Sequence, residues 1–511
     1  MIKRPYFLWV ESFFVGLLLL SLLSACSSPL QPSTQPSDVP EKASLRNTAV
    51  STPEVIVEEN PTLTPANTAT SLSPSVTPTQ FVPLLPVMGI ELYQISPGGG
   101  VELAQQAGAF WTRRNALLWS DVEPQQGSRN WAALADLEQE MIAASERGLQ
   151  LILVVRSTPG WAQALQGSKC GPIAPDKLAD FAAFMFEAVQ RYSSPPYNVQ
   201  YWELGNEPDI SFFGFNPESE FGCWGDPDNP YFGGTYYAEM LKAVYPQVKA
   251  ANNQVQVLVG GLLLDCDPNN PPETSPGSGQ LKDCTPSRYL EGVLINGGGD
   301  YFDGVSFHAY DYYQGRMGEY SNANWHSTWN TTGPTLIAKA RYLRDLLESY
   351  GYTDKFLIDT ELALLCGRDG SEPECQTPDF ESTKASYVVQ AFTSTSAEHL
   401  LGSVWYSLFG WRGSGLVSAN MQPLAAYDAF AASSRFLEGA NYIGNVEQYA
   451  GIKGYEFDRA GERLWVLWSL DGQDHPIHLD QLPGSMADMG GKTLSPTQDI
   501  TITLTPIFIT W

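Results

Sequence analysis

The chain has 511 residues, 43% of them hydrophobic, with 56 acidic against 29 basic side chains and a formal net charge of −27. So acidic a surface repels nucleic acid and anionic lipid headgroups, and neither is expected as a partner. The length is too great for one ordinary domain but fits an α/β barrel carrying a small appendage.

The chain opens on an export pattern. Lys3 and Arg4 precede the apolar run FFVGLLLLSLL (13–23), and Ser24, Ala25 and Cys26 follow. A basic head, an apolar stretch and small residues before a cleavage point mark a secretory signal over residues 1–26. The string LSAC (23–26) resembles the lipobox of bacterial lipoproteins, which implies that Cys26 becomes the lipidated first residue of the mature chain. Retained uncleaved, the same stretch would be a membrane anchor. Either way the folded part lies outside the cytoplasmic membrane, in the bacterial cell envelope or secreted, and touches the membrane only through its N-terminus.

Residues 27–83 read as a tether. No aromatic residue occurs from 27 to 80, and Ser, Thr and Pro dominate residues 51–80. Such a segment buries too little apolar surface to order itself.

From residue 84 to 435 short apolar runs alternate with amphipathic stretches. The runs are VMGIELY (87–93), NALLWS (115–120), LQLILVV (149–155), VQYWELG (199–205), VQVLVGG (255–261), FDGVSFHAY (302–310), KFLIDTE (355–361) and GSVWYSL (402–408). Between them, residues 132–148, 177–192 and 336–351 carry apolar positions three and four apart, the spacing of a helix with one buried face. Buried strands alternating with helices predict a parallel (β/α)8 TIM barrel. A doubly wound open sheet fits less well, because no glycine-rich phosphate loop follows the first strand. After residue 436 the helical pattern stops. GYEFDRAGERLWVLWSLDG (454–472) predicts a hairpin turning at Ala460-Gly461, and HPIHLDQL and DITITLTPIFITW read as further strands of a β-sandwich-like module over 436–511.

In such barrels the chemistry sits at the C-terminal strand ends. The fourth strand runs into Asn206-Glu207-Pro208, the seventh ends at Glu361, and the sixth carries His308 and Tyr310. Five segments, WSDVEP (119–124), WELGNEPD (202–209), VSFHAY (305–310), LIDTELAL (357–364) and VWYSLFGW (404–411), fall in order on these strands. Together they resemble the retaining glycoside hydrolases of clan A, nearest to family 39 (β-xylosidases and α-L-iduronidases), with families 5 and 51 as neighbours.

Retention at an acetal carbon needs two carboxyl groups about 5–5.5 Å apart, one protonated and one ionised. The resemblance implies Glu207 as general acid/base and Glu361 as nucleophile, with Tyr310 donating a hydrogen bond to Glu361. It also implies an arginine near the nucleophile, for which Arg114 is taken from the pair Arg113-Arg114. Asn206 is expected to bind the sugar 2-hydroxyl, and His308 to order the substrate or the acid. Trp405 is expected as a platform under the sugar, with Trp119 and Trp161 lining flanking subsites. The substrate is then an oligo- or polysaccharide of plant or microbial origin.

Each residue also has a plainer reading. Glu207 could serve a helix dipole, and His308, Trp405, Trp119 and Trp161 could be core. Asp359, two residues before Glu361, competes with it. Glu203, four before Glu207, reads as a paired interior carboxylate, and Asp121 and Glu123 as caps of a turn. The alternative function is a non-catalytic glycan-binding surface lipoprotein on the same barrel; a third is a barrel hydrolase of another bond. With five histidines and no CxxC, no metal and no cofactor is expected.

Of seven cysteines, six remain after Cys26, an even number suited to an oxidising compartment. Closeness in sequence favours Cys266 with Cys284 and Cys366 with Cys375, which leaves Cys170 with Cys223, although sequence alone permits other pairings. The rim insertion 209–234 offers Phe212, Phe213, Phe215, Trp224 and Tyr231 for sugar stacking or for anchoring the loop.

Overall fold

A computed structural model describes residues 85–211, 219, 221–271, 283–313, 329, 333–367 and 369–511. The export segment with Cys26, the tether, and Phe212, Phe213 and Phe215 lie outside the described residues. The chain divides into Met1–Thr79 and Gln80–Trp511, and the architecture below belongs to the second unit.

Eight strands close a parallel barrel in chain order: β1 (Met88–Ile90), β2 (Trp111–Leu118), β3 (Gln150–Arg156), β4 (Tyr201–Asn206), β5 (Gln256–Leu262), β6 (Gly304–Tyr312), β7 (Phe356–Leu365) and β8 (Ser403–Trp405). Around them run α1 (Val101–Gln106), α2 (Trp119–Val122), α3 (Ala135–Glu146), α4 (Leu178–Tyr192), α5 (Gly234–Ala251), α6 (Tyr289–Ile295), α7 (Leu336–Ser349), α8 (Pro378–Ala397) and α9 (Ala425–Leu437). The helices form where the apolar spacing demands it. α4 buries Phe181, Phe184, Met185, Ala188, Val189 and Tyr192 as one stripe. α8 starts at Pro378 because the Thr377 side chain accepts the Phe380 N–H and proline needs no partner in the first turn. Among the described residues no helix is long and apolar enough to cross a membrane.

Inside the barrel, Trp111, Ile152, Leu258, Ile358 and Val404 pack into an apolar plug. One inward position further along β2 and β4 the interior turns polar, at Arg113 and Glu203, both fully buried. The plug therefore closes the floor and leaves the polar side chains facing the C-terminal mouth.

β2 begins at Trp111, four residues before the run NALLWS that marks it in the sequence. The Arg113-Arg114 pair thus lies within the strand, where alternate residues face opposite sides. β7 carries a register shift opposite Phe307 and His308, so that Asp359 pairs with Phe307 and Glu361 with His308. Thr360 is the extra residue of this bulge. With Ile358 facing inward, Asp359 faces the helices and Glu361 the barrel interior.

Three disulfides brace the rim. Cys170–Cys223 joins the loops after β3 and β4, Cys266–Cys284 closes the loop after β5, and Cys366–Cys375 ties the end of β7 to the approach of α8.

The β-module comprises β9 (Asn441–Asn445), β10 (Ile452–Arg459), β11 (Glu462–Ser469), β12 (His475–His478), β13 (Ser485–Asp488), β14 (Thr493–Leu494), β15 (Asp499–Ile502) and β16 (Ile507–Thr510). Six of them form an antiparallel sheet in the order β14-β13-β16-β11-β10-β9, with β12 and β15 paired beside it. Alternation along β11 explains its two-faced packing: Leu464, Val466 and Trp468 join the barrel's core, while Trp465 and Leu467 pack with Ile500, Ile502 and Ile509 on the other face. Phe436 of α9 stacks on Phe508 of β16 at 4.3 Å between centroids.

Candidate active site

Glu207 follows β4 directly, with φ +52°. A left-handed backbone is uncommon for a residue with a side chain and is held here by tertiary contacts. The Glu207 N–H donates to the Gly261 carbonyl at 2.9 Å, which fastens the turn to β5. Two residues on, Asp209 accepts the N–H groups of Leu263 and Leu264, each at 2.9 Å. The turn after β4 is thus clamped to the end of β5 on both sides of Pro208.

Glu361 enters from β7. Its Oε1 accepts from Arg113 Nη1 at 2.5 Å, and its Oε2 accepts from the Tyr310 hydroxyl. His308 stands between the two glutamates, its Nδ1 at 2.7 Å from Glu207 Oε1 and 3.4 Å from Glu361 Oε2. A carboxylate oxygen of Glu207 and one of Glu361 lie within 4.8 Å of each other. Both residues are buried but not sealed, at 4% and 7% exposure.

Arg113 organises the floor. Its Nε and Nη2 donate to the two oxygens of Glu203 at 2.9 and 3.0 Å, and Nη2 also donates to Asn206 Oδ1 at 2.7 Å. Nη1 serves Glu361 and, at 3.5 Å, Glu91 Oε2. Glu203 is an interior paired carboxylate, and its Oε1 also accepts the Gly261 N–H at 2.7 Å.

The electrostatics set the two glutamates apart. Burial, then repulsion by Glu361 and Asp209, pushes the Glu207 carboxyl well above the usual carboxylate range. Burial also raises Glu361, but the Arg113 charge and the Tyr310 hydroxyl oppose the shift. Of the pair, Glu207 is therefore the one driven more strongly to keep its proton, and Glu361 the one whose partners favour the ionised form. Burial, with the charges of Arg113 and Lys339, drives His308 well below its usual value, so the imidazole is neutral. Burial and the neighbouring Glu361 keep Tyr310 protonated, as a donor must be.

Glu207, His308 and Glu361 are also a trio whose donor atoms could converge on one metal ion. The Arg113 guanidinium at 2.5 Å from Glu361 places a fixed positive charge against that position. The trio is better satisfied as a hydrogen-bonded acid pair than as a cation cage.

Several sequence expectations need correction. Arg114 does not face the mouth: it points outward and pairs with Glu140 of α3 at 2.5 and 3.0 Å, and Arg113 is the inward arginine. Asp359 does not share a face with Glu361, because of the bulge at Thr360. Lys339 of α7 is its foremost charged neighbour. Trp405 is wholly buried, donates to the Ser414 carbonyl at 2.9 Å and packs toward Tyr387, so it offers no face to a sugar. Trp119 is core, packed on Phe181 and Phe184, and half-buried Trp161 stands against it edge-on at 5.2 Å. Both indoles donate to Glu123, Trp119 to its side chain and Trp161 to its carbonyl. Trp119 lines a cavity of about 40 Å³ between β4 and the helices, beside Phe181, Leu204, Pro208 and Tyr237.

The aromatic groups at the mouth are others. Tyr406 lies 6.1 Å from Tyr310, 6.1 Å from Tyr93 and 6.5 Å from Trp411, centroid to centroid. Tyr93 and Trp411 are each 45% exposed, and Trp411 also meets Tyr310 at 6.2 Å. Glu91 is the second omission. It follows β1 as Glu207 follows β4, so the strand-end rule that found the other acids would have found it in VMGIELY.

No protein-family model and no curated protein matches the sequence. Solved structures do. A family 39 glycoside hydrolase from the gut symbiont Bacteroides cellulosilyticus WH2 matches at 16% identity and TM-score 0.59, over 83% of this chain and 80% of that one. A conserved exported protein from Bacteroides fragilis matches at 12% identity and TM-score 0.58, over 85% and 99%. A family 30 subfamily 8 xylanase from Clostridium acetobutylicum matches at 12% identity and TM-score 0.54, over 83% and 95%. The chain thus has the barrel fold of the clan A glycoside hydrolases, with families 39 and 30 among its structural neighbours.

Proposed function

We propose that this protein is a retaining glycoside hydrolase in which Glu207 is the general acid/base and Glu361 the nucleophile. The observation that carries the reading is the carboxylate pair from β4 and β7, with oxygens within 4.8 Å and only Glu361 bonded to the Arg113 guanidinium. That spacing suits direct attack at the anomeric carbon, whereas an inverting pair stands about 6.5–9.5 Å apart to admit water.

Glu361, ionised and aimed by Arg113 and Tyr310, attacks the anomeric carbon as Glu207 gives its proton to the leaving oxygen. Glu207, now ionised, takes a proton from water, which then cleaves the glycosyl ester. The first departure of negative charge from Glu361 weakens its repulsion of Glu207, so the acid loses its proton when the mechanism requires it. Neutral His308, within hydrogen-bonding distance of Glu207, positions that carboxyl. Asn206, whose amide oxygen accepts from Arg113, then meets the sugar hydroxyl beside the reacting carbon.

The substrate is an oligo- or polysaccharide. Three disulfides fit a chain folded outside the cytoplasm, in keeping with export through residues 1–26 and lipidation at Cys26. A binding-only role is less well supported, because it gives no reason for two buried carboxyl groups set within 4.8 Å of each other in such different surroundings. The test is a panel of aryl glycosides, with anomeric NMR of the first product. Wild type should release aglycone with retention. Glu361→Ala should abolish turnover, and Glu207→Ala should spare substrates with good leaving groups. Cleavage at the wild-type rate by the double variant would overturn the assignment.

A further inference from the structure

Glu91 is the acidic side chain at this site that the double displacement leaves without a task. It stands just past the end of β1, with 6% of its surface exposed, close to the 7% of Glu361. Glu203, which also contacts Arg113, is fully buried. Glu91 and Glu361 share one atom of Arg113: Nη1 lies 2.5 Å from Glu361 Oε1 and 3.5 Å from Glu91 Oε2. Glu91 is thus a neighbour of the nucleophile. Glu207 makes no hydrogen bond or ion pair with Arg113, although that charge still acts on its carboxyl. Since Glu207 protonates the leaving oxygen, the aglycone lies on its side and the attacked sugar ring lies toward Arg113 and Glu91.

The five N–H groups of a guanidinium are all taken here. Two go to Glu203, one to Asn206, one to Glu361, and the fifth makes the long contact with Glu91. A carboxylate on the incoming sugar would find no donor on Arg113 and would face the charge of the nucleophile Glu361 in desolvated space. A hydroxyl meets no such penalty. Burial holds the Glu91 carboxyl up at about 8, above repulsion from Glu361 and Glu203 and against the pull of Arg113. At neutral pH it is a carboxylic acid, able to donate as well as accept.

We propose that Glu91 is the residue that recognises the glycone, hydrogen-bonding a hydroxyl of the sugar ring attacked by Glu361, and that this sugar is neutral rather than a uronic acid. The inference rests on the retaining-glycosidase reading and narrows its substrate class.

The test compares wild type and Glu91→Gln on matched aryl glycosides: parent neutral sugars, their monodeoxy analogues and the glucuronide. Wild type should cleave the best neutral glycoside at least about 100-fold more efficiently than the glucuronide. Glu91→Gln should lose about 10- to 100-fold in kcat/KM on the parent, yet differ little from wild type on the one analogue that lacks the contacted hydroxyl. Equal losses on every analogue would mean that Glu91 acts only by bracing Arg113, and would overturn the proposal. So would a glucuronide cleaved as well as the neutral sugars. If wild type cleaves no glycoside, the enzymatic reading fails, but calorimetry with free neutral sugars and glucuronic acid still decides this one. A preference for neutral sugars that Glu91→Gln weakens supports it; the same affinity for both classes, or an affinity the variant leaves unchanged, overturns it.

Discussion

Arg113 Nη1 approaches Glu361 Oε1 to 2.5 Å, while the next residue, Arg114, turns its back on the barrel to pair with Glu140. Two adjacent arginines thus have unrelated work, and substitution should separate them. Lysine has three donors on one atom and cannot span Glu203, Asn206 and Glu361 together. Arg113→Lys should lower kcat on aryl glycosides by at least about 100-fold and destabilise the fold by about 3 kcal/mol, because Glu203 is left buried without its fork. Arg114→Ala should leave kcat within about twofold and cost about 1 kcal/mol, since its pair is partly solvated. Steady-state rates and thermal melts of the two variants check this.

Glu207 as the acid and Glu361 as the nucleophile, the roles proposed above, predict a bell-shaped rate profile. On the acid side, activity falls as Glu361 takes up a proton and ceases to be a nucleophile. On the alkaline side, it falls as Glu207 loses the proton that its buried, repelled position holds well above the usual range. With a leaving group that needs no protonation, Glu207→Gln should keep the acid limb of kcat/KM and lose the alkaline one. An alkaline limb that persists in this variant belongs to some other group.

Stability should depend on pH in the reverse of the usual sense. Burial raises Glu91 from 4.5 to about 8, and raises Asp209 and Asp311 from 3.8 to about 6. In each case the folded chain binds the proton more tightly than the unfolded chain. The stabilisation is complete below the unfolded value and disappears as pH climbs through the folded one. From pH 4 to 6 the two aspartates erode it, and from about 5 to 8 Glu91 does. The melting temperature should be several degrees higher at pH 5 than at pH 8.5, and Glu91→Gln should flatten the upper part of that fall. Calorimetry across the range reads both.

These groups were unequally legible in the sequence, for reasons that are physical. Glu207 and Glu361 stand where strands end, and an apolar run that stops at an acid is visible in one dimension. The side each residue faces depends on the phase of its strand. β2 begins at Trp111, and once that phase is known the alternation Trp111, Arg113 inward against Thr112, Arg114 outward follows; a strand begun at Asn115 gives no phase for the arginines. In β7 a single extra residue at Thr360 reverses the phase, so Asp359 and Glu361 look equivalent by counting and are not. Trp405 and Tyr406 were one step apart, and that step decided which ring faces the mouth. Glu203, by contrast, is legible in the sequence as a paired interior acid, because β4 keeps a regular alternation up to it.

Gly261 offers the most direct test of how His308 is held. Its N–H donates to Glu203 Oε1 at 2.7 Å and its carbonyl accepts from the Glu207 N–H at 2.9 Å, so its backbone links an interior acid to the proposed catalytic one. A methyl group at this position would come within 2.2 Å of His308 Nε2 and 2.8 Å of Glu203 Oε1. Neither neighbour can swing away into solvent, since both are fully buried. Gly261→Ala should therefore displace the imidazole from its place 2.7 Å from Glu207. We expect kcat on substrates with poor leaving groups to fall by about 10- to 100-fold, with a smaller fall on good ones and a shifted alkaline limb. A variant that folds, shows wild-type rates on both and keeps the same profile would show that His308 has no part in positioning the acid.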